Sequence, residues 1–151
     1  MVDVVDAATR SRMMSGIRGS NTRPEIRVRQ ILHALGFRFR LHDRALPGKP
    51  DIILPRWRAV ILVHGCFWHG HDCPLFRLPA TRPEFWENKI RLNKERDAKA
   101  IAALANSGWR VCVVWECALK GRDRIDAGIL GARLAEWIRS TAPEAEISGQ
   151  G

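Results

Sequence analysis

Eleven residues, Val63-His64-Gly65-Cys66-Phe67-Trp68-His69-Gly70-His71-Asp72-Cys73, bring together two thiols, three imidazoles and an adjacent Phe-Trp pair. Cys66, His71 and Cys73 are soft or borderline donors at the short spacing that closes around zinc, and a tetrahedral structural site needs one further ligand from elsewhere. His69 is an alternative to His71 at this spacing. A closed four-ligand site leaves no position for substrate, so such a zinc holds the loop instead of doing chemistry. His64 and His69 then remain, imidazoles whose ordinary pKa of about 6.5 suits the transfer of a proton to or from water. The rings of Phe67 and Trp68 between them are either core or a wedge that parts stacked bases while the histidines act on a phosphate.

The charge balance favours the second chemistry. Lys and Arg number 25 against 16 Asp and Glu, a formal net charge of +9 over 151 residues, which points to a polyanionic partner or, more blandly, to a solubilising surface. No apolar run approaches the roughly 20 residues that span a bilayer, and Met1 to Met14 has no hydrophobic stretch of the secretory type. A cytoplasmic protein is expected, with no membrane partner, and there four cysteines serve a metal or a core in preference to disulfides.

The elements that must position these residues can be read in order. Residues 1–21, with Arg10, Arg12, Arg18 and the Met13-Met14 pair among them, read as an arm that docks on nucleic acid, Arg10, Arg12 and Met14 gripping a groove. Thr22-Arg23-Pro24-Glu25 is a helix start with Thr22 as N-cap and Glu25 completing a capping box. Val28, Ile31, Leu32 and Leu35 then share one helical face, and Gly36 ends it. Phe37 to Leu41 alternates and predicts a half-exposed strand. Asp51 to Leu54 and Ala59 to Val63 predict two more, the second apolar throughout and so covered on both faces. Thr81-Arg82-Pro83-Glu84 repeats the capping signature ahead of a long helix with Trp86, Ile90, Ile101 and Leu104 as inward positions. A strand over Trp109 to Trp115 follows, then a helix from about Asp123 to Ser140 with Ile129, Leu130, Leu134, Trp137 and Ile138 on its apolar side.

The predicted order is αβββαβα, an α/β single domain over 22–140 with a mixed sheet flanked by helices, and residues 141–151 are expected to be a disordered tail. A strand, a helix and a strand make a crossover that brings the ends of 59–63 and 109–115 to one sheet edge. That makes Cys117 the best fourth zinc ligand, whereas Cys112, inside the Val111 to Val114 run, reads as a small buried residue. On the long helix Lys89 and Asn93 continue the Trp86 stripe at i+3 and i+7, where a donor and an amide could read groove edges.

Longer motifs carry a resemblance. His64-Gly65-Cys66-Phe67-Trp68-His69, Pro79-Ala80-Thr81-Arg82 with Glu84-Phe85-Trp86, Gly108-Trp109-Arg110-Val111 and Val114-Trp115-Glu116-Cys117-Ala118-Leu119 together closely resemble the very-short-patch-repair (Vsr) DNA mismatch endonucleases, over roughly residues 8 to 140. The resemblance implies a PD-(D/E)xK, restriction-endonuclease-like core with a structural zinc. It implies nicking of one DNA strand 5′ to the thymine of a T·G mismatch left when 5-methylcytosine deaminates, the first step of a short repair patch. On this chain it implies Asp51 as the carboxylate for a catalytic magnesium, His69 as general base, His64 near the phosphate and metal-bound water, and Phe67, Trp68 and Trp86 intercalated beside the mismatch. The second acidic ligand and the Lys of the wider superfamily are missing, and Val63 stands where Vsr enzymes often have Thr; the resemblance implies that magnesium takes the backbone carbonyl there, which makes Val63 harmless, whereas a role for a side-chain oxygen would reduce activity. Glu25 is a further candidate carboxylate, although its capping-box position explains it equally well.

The partner so implied is double-stranded DNA with a T·G mismatch, followed by repair proteins, and nicking of one strand suits a monomer. The rival is a zinc-stabilised DNA-binding protein without nuclease activity, or a related nuclease with another DNA target. Asp51, His64 and His69 together favour the enzyme, because a binder has no use for that grouping.

Overall fold

The first helix, α1 (Arg23–Ala34), begins as its sequence dictates: the Glu25 amide donates to Thr22 Oγ1 at 3.3 Å, and Pro24 occupies the first turn. It stops in a left-handed turn at Gly36, φ 87°, where the Phe37 amide reaches back to the Leu32 carbonyl at 3.0 Å. A computed structural model describes residues 22–150, so the arm residues Arg10, Arg12 and Met14 lie outside the described residues.

Five strands form one sheet in the order β1 (Arg40–Leu41), β2 (Ile52–Leu54), β3 (Ala59–His64), β4 (Arg110–Trp115), β5 (Glu144–Ile147). The pairs β1–β2 and β2–β3 are antiparallel, while β3–β4 and β4–β5 are parallel. Among the described residues the two further α-helices are α2 (Pro83–Asn106), in the β3–β4 crossover, and α3 (Ala127–Arg139), between β4 and β5. The chain is therefore a mixed α/β domain with helices on both faces of its sheet. Among the described residues no helix is long and apolar enough to cross a membrane.

The alternation along β3 shows why that strand is apolar throughout. Ala59 and Ile61 enter a core with Val28 and Leu32 of α1 and Leu130, Leu134 and Ile138 of α3; Val60 and Leu62 enter a second core with Leu104 of α2, Val111 and Val113. A strand buried on both faces needs apolar residues at every position.

Four expectations are corrected. Only Arg40 and Leu41 of the 37–41 segment pair as strand, because the Phe37 amide closes the α1 terminus and the Phe37 ring is buried against Trp57. Thr81 does not cap α2: the N-cap is Arg82 in the left-handed region, φ 56°, with no side-chain cap bond, and its guanidinium lies over the Phe85 ring at 4.5 Å. α3 starts at the Asp126 cap, and Ile129 is 53% exposed, so it does not belong to the apolar side. Finally, 141–151 contains β5. Its alternation buries only Ile147 fully and leaves Glu144 and Glu146 on the outside of an edge strand, so it carries too little apolar signal to read as one.

The β5 assignment predicts that Ile147→Ala lowers unfolding free energy by about 2 kcal/mol, the usual scale for truncating a buried aliphatic side chain. Glu144→Ala, on the exposed side, should change it by less than about 0.5 kcal/mol. Urea unfolding of the two variants checks this, and equal midpoints would mean that the segment does not pack.

Candidate active site and metal centre

The parallel register of β3 and β4 sets His64 opposite Trp115, so the chain leaves both strands at the same sheet edge. Two residues further on come Cys66 and Cys117. Antiparallel β2 starts at that edge too, and Asp51, just ahead of it, accepts the Val63 amide on Oδ2 at 2.7 Å.

The first cluster is Cys66, His71, Cys73 and Cys117, whose ligand atoms all lie within 4.8 Å of one another. His71 Nδ1 is 3.6 Å from Cys66 Sγ and 3.6 Å from Cys117 Sγ. Of the two sequence alternatives, His71 joins this cluster and His69 does not, and Cys112 is a wholly buried core residue. Burial pushes the Cys66 and Cys117 thiols up, which is the expected state of such sulfurs without a cation beside them. One amide supports a sulfur, Gly149 N–H donating to Cys117 Sγ at 3.2 Å, and the Cys66 backbone is held by its own N–H donating to Glu116 Oε1 at 3.2 Å. The loop is tight at Gly70, φ 63°, where an added Cβ would meet Ile90 at 2.7 Å.

The second cluster is His64, His69 and Asp97. The two imidazoles stack with centroids 3.9 Å apart and planes 3° from parallel. His69 Nδ1–H donates to Asp97 Oδ2 at 2.5 Å, so the carboxylate fixes the tautomer that leaves Nε2 as an acceptor. His64 is buried, and loss of solvent, with His69 beside it, lowers its pKa to about 3. Trp115 forms a shared wall: it stacks on His71 at 4.2 Å and presents its edge to His64 at 5.3 Å.

The third cluster is Glu25, His42 and Asp51. Glu25 is 1% exposed. Its carboxylate accepts from Arg29 and, at 2.6 Å, from His42 Nε2–H. Burial raises Asp51 from the ordinary carboxylate range to about 7, against the Val63 hydrogen bond that lowers it, and the Glu25 charge raises it further. A cation at this position would offset that cost. His42 is held with φ 50°, a left-handed conformation rare outside glycine, of the sort concentrated at functional sites.

Beside these clusters lie the aromatic rings. Phe67, Trp68 and Trp86 meet with centroids 5.1 to 5.9 Å apart, joined by Phe76 and Phe85. Asn93 Nδ2 donates to the Trp68 carbonyl at 3.0 Å, which makes it a brace for this group in place of the groove-reading amide expected from the stripe. Lys89 is half-buried on α2.

Sequence reasoning missed Asp97, His42, Arg29 and Trp115. Asp97 could have been found, since it extends the Trp86, Asn93 stripe by one more turn. His42 carries no periodic signal, because a loop brings it to Glu25.

Known proteins resemble this chain along its length. The family model described as "DNA mismatch endonuclease Vsr" matches residues 2–75. The DNA mismatch endonuclease Vsr of Escherichia coli (strain K12) is 48% identical over 151 residues, covering 100% of this chain and 97% of that protein. The type II nicking enzyme V.XorIIP of Xanthomonas oryzae pv. oryzae is 50% identical over 134 residues, 89% of this chain and 95% of that protein. The type II nicking enzyme V.NmeAIP of Neisseria meningitidis is 43% identical over 122 residues, 81% and 87% of the two chains.

The cysteine-histidine cluster predicts that Cys117→Ala abolishes stoichiometric metal and lowers Tm by about 10 °C, the scale of several kcal/mol at this chain length. Cys112→Ala should keep its metal. Elemental analysis and thermal melts of the two purified variants check this, and metal retained in Cys117→Ala would remove that residue from the ligand set.

Proposed function

The chain belongs to the Vsr family of DNA mismatch endonucleases, and on that premise we propose that it nicks one strand of duplex DNA, with magnesium, 5′ to the thymine of a T·G mismatch produced by deamination of 5-methylcytosine. The reading takes the sheet edge as a PD-(D/E)xK-type reaction centre and the nick as the start of a short repair patch. The observation that carries it is the pairing of His69 with Asp97 at the sheet edge where Asp51 accepts the Val63 amide.

Phosphodiester hydrolysis builds negative charge on the phosphate and needs a deprotonated water. Asp51, the Val63 carbonyl and, beside them, Glu25 offer the hard oxygen donors that magnesium prefers. When bound, magnesium supplies charge stabilisation for the phosphate oxygens and the leaving oxygen. His69 Nε2 takes the proton of the attacking water, while Asp97 orients the ring and stabilises the imidazolium that forms. His64 stacks on His69 and fixes its plane beside the phosphate. Val63 in place of Thr costs nothing in this scheme, since only its backbone is used.

Zinc is the reading we favour for the other cluster. A tetrahedron with zinc bonds of about 2.3 Å to sulfur and about 2.0 Å to nitrogen has a sulfur-nitrogen edge of about 3.5 Å, close to the 3.6 Å of His71 from Cys66 and Cys117. Phe67, Trp68 and Trp86 would form the wedge. Parting a base step costs a few kcal/mol, less at a mispair, so wedge insertion itself favours mismatched DNA.

With magnesium and a labelled duplex bearing one T·G pair in a methyltransferase-type site, cleavage is expected 5′ to the T and absent from the matched duplex. Asp51→Ala and His69→Ala should bind and lose at least about 100-fold in single-turnover rate, with Asp97→Asn losing about 10-fold or more. Full activity in Asp51→Ala or His69→Ala would sink the mechanism. Binding without cleavage by the unaltered protein would make it a DNA-binding protein, and equal cleavage of matched DNA would remove the mismatch specificity.

A further inference from the structure

A second cationic feature lies outside all three clusters. Arg27 of α1, the loop from Leu119 to Arg124 and the start of α3 line an open cleft of about 530 Å³ into which Arg27, Arg122 and Arg124 face. All three arginines are exposed. The one acid in the lining, Asp126, is occupied as the α3 cap, accepting from the Gly128 and Ile129 amides at 2.9 and 3.3 Å, so the attraction for anions rests on the guanidinium groups. Arg122 has only a loose approach to Asp123, 3.9 Å, with its side chain 80% exposed, and Arg124 uses one nitrogen on the Gly121 carbonyl at 3.0 Å.

The platform under these arginines is rigid. Ile125 is buried and its amide donates to the Ala118 carbonyl at 2.8 Å; Gln150 N–H donates to the Asp123 carbonyl at 2.7 Å. At Gly121, φ 88°, an added Cβ would meet Leu75 at 3.0 Å, so this loop rests on the cysteine-histidine loop. The cleft also belongs to the same sheet edge as the reaction centre. Its loop continues from Cys117, and Arg27 follows Glu25 by two residues, about 200° around α1, which puts it on the far side of the helix from the Glu25 carboxylate.

We propose that this arginine cleft is a second phosphate station for the DNA duplex, holding one or two backbone phosphates away from the scissile one. The inference rests on the DNA-nicking reading above. Guanidinium forks match phosphate oxygens bidentately and carry no base preference, so the cleft sets position and affinity and leaves sequence choice to other groups.

The test measures binding of the full chain to the T·G duplex, without divalent cation, across a salt series. Arg122→Ala/Arg124→Ala should weaken binding about 10-fold near physiological salt and lower the slope of log K against log salt by about 1 to 2, whereas Arg133→Ala, exposed on α3, leaves the slope as it is. A scan with single neutral methylphosphonates should reveal one or two positions at which neutralisation weakens the unaltered protein but not the double variant. Equal affinity and slope in the double variant, or loss with no phosphate position coupled to it, would overturn the phosphate station while leaving the nicking activity untouched. Failure of the unaltered protein to bind the mismatched duplex would instead overturn the functional reading itself.

Discussion

The parallel pairing of β3 with β4 is the constraint from which the rest of the site follows. With His64 opposite Trp115, the residues leaving the two strands emerge side by side, and a thiol from each meets the other two donors of the loop. The crossover helix α2 is what permits that pairing, and it also supplies Asp97 and Asn93 to the loop from the other side. A slip of one residue in this register would turn the side chains of β4 to the opposite faces and move Cys117 away from its partners. Because both faces of β3 are packed with apolar side chains, such a slip is opposed by two cores at once.

Around that frame the polar groups are placed where burial makes them costly alone and useful together. Two carboxylates, Glu25 and Asp51, share a buried corner with Arg29 and His42, while three thiols and an imidazole share another. Trp115 lies against the second corner and against the stacked histidines, so the cysteine-histidine cluster and the stacked pair are packed on one ring. Its indole N–H is fixed by Glu146 of β5 at 2.5 Å, which ties the wall to the edge strand.

Much of this was legible where the signal is local or strongly patterned. The Thr22 cap is a contact across three residues, the apolar run of β3 reports burial on both faces, and Cys117 could be assigned because strand order alone brings it to the loop. The mixed α/β sheet with flanking helices followed from the same patterns. The failures share a cause. β5 is held by backbone pairing and one fully buried side chain, Arg82 caps nothing, and the Phe37 amide is claimed by the helix before it. His42 reaches Glu25 through a loop whose path depends on the folded sheet, so no spacing in the sequence encodes their contact.

Asn93 and Asp97 stand one helical turn apart on α2, and each grips one of two consecutive loop residues, Asn93 the Trp68 carbonyl and Asp97 the His69 ring. Trp68 and His69 are thus tethered side by side to neighbouring turns of one helix. A shift of the Trp68 backbone against α2 would therefore be felt at the neighbouring His69 ring. If the rings are the wedge and the imidazole the base, as proposed, that tether would couple fit at the base pair to alignment at the phosphodiester.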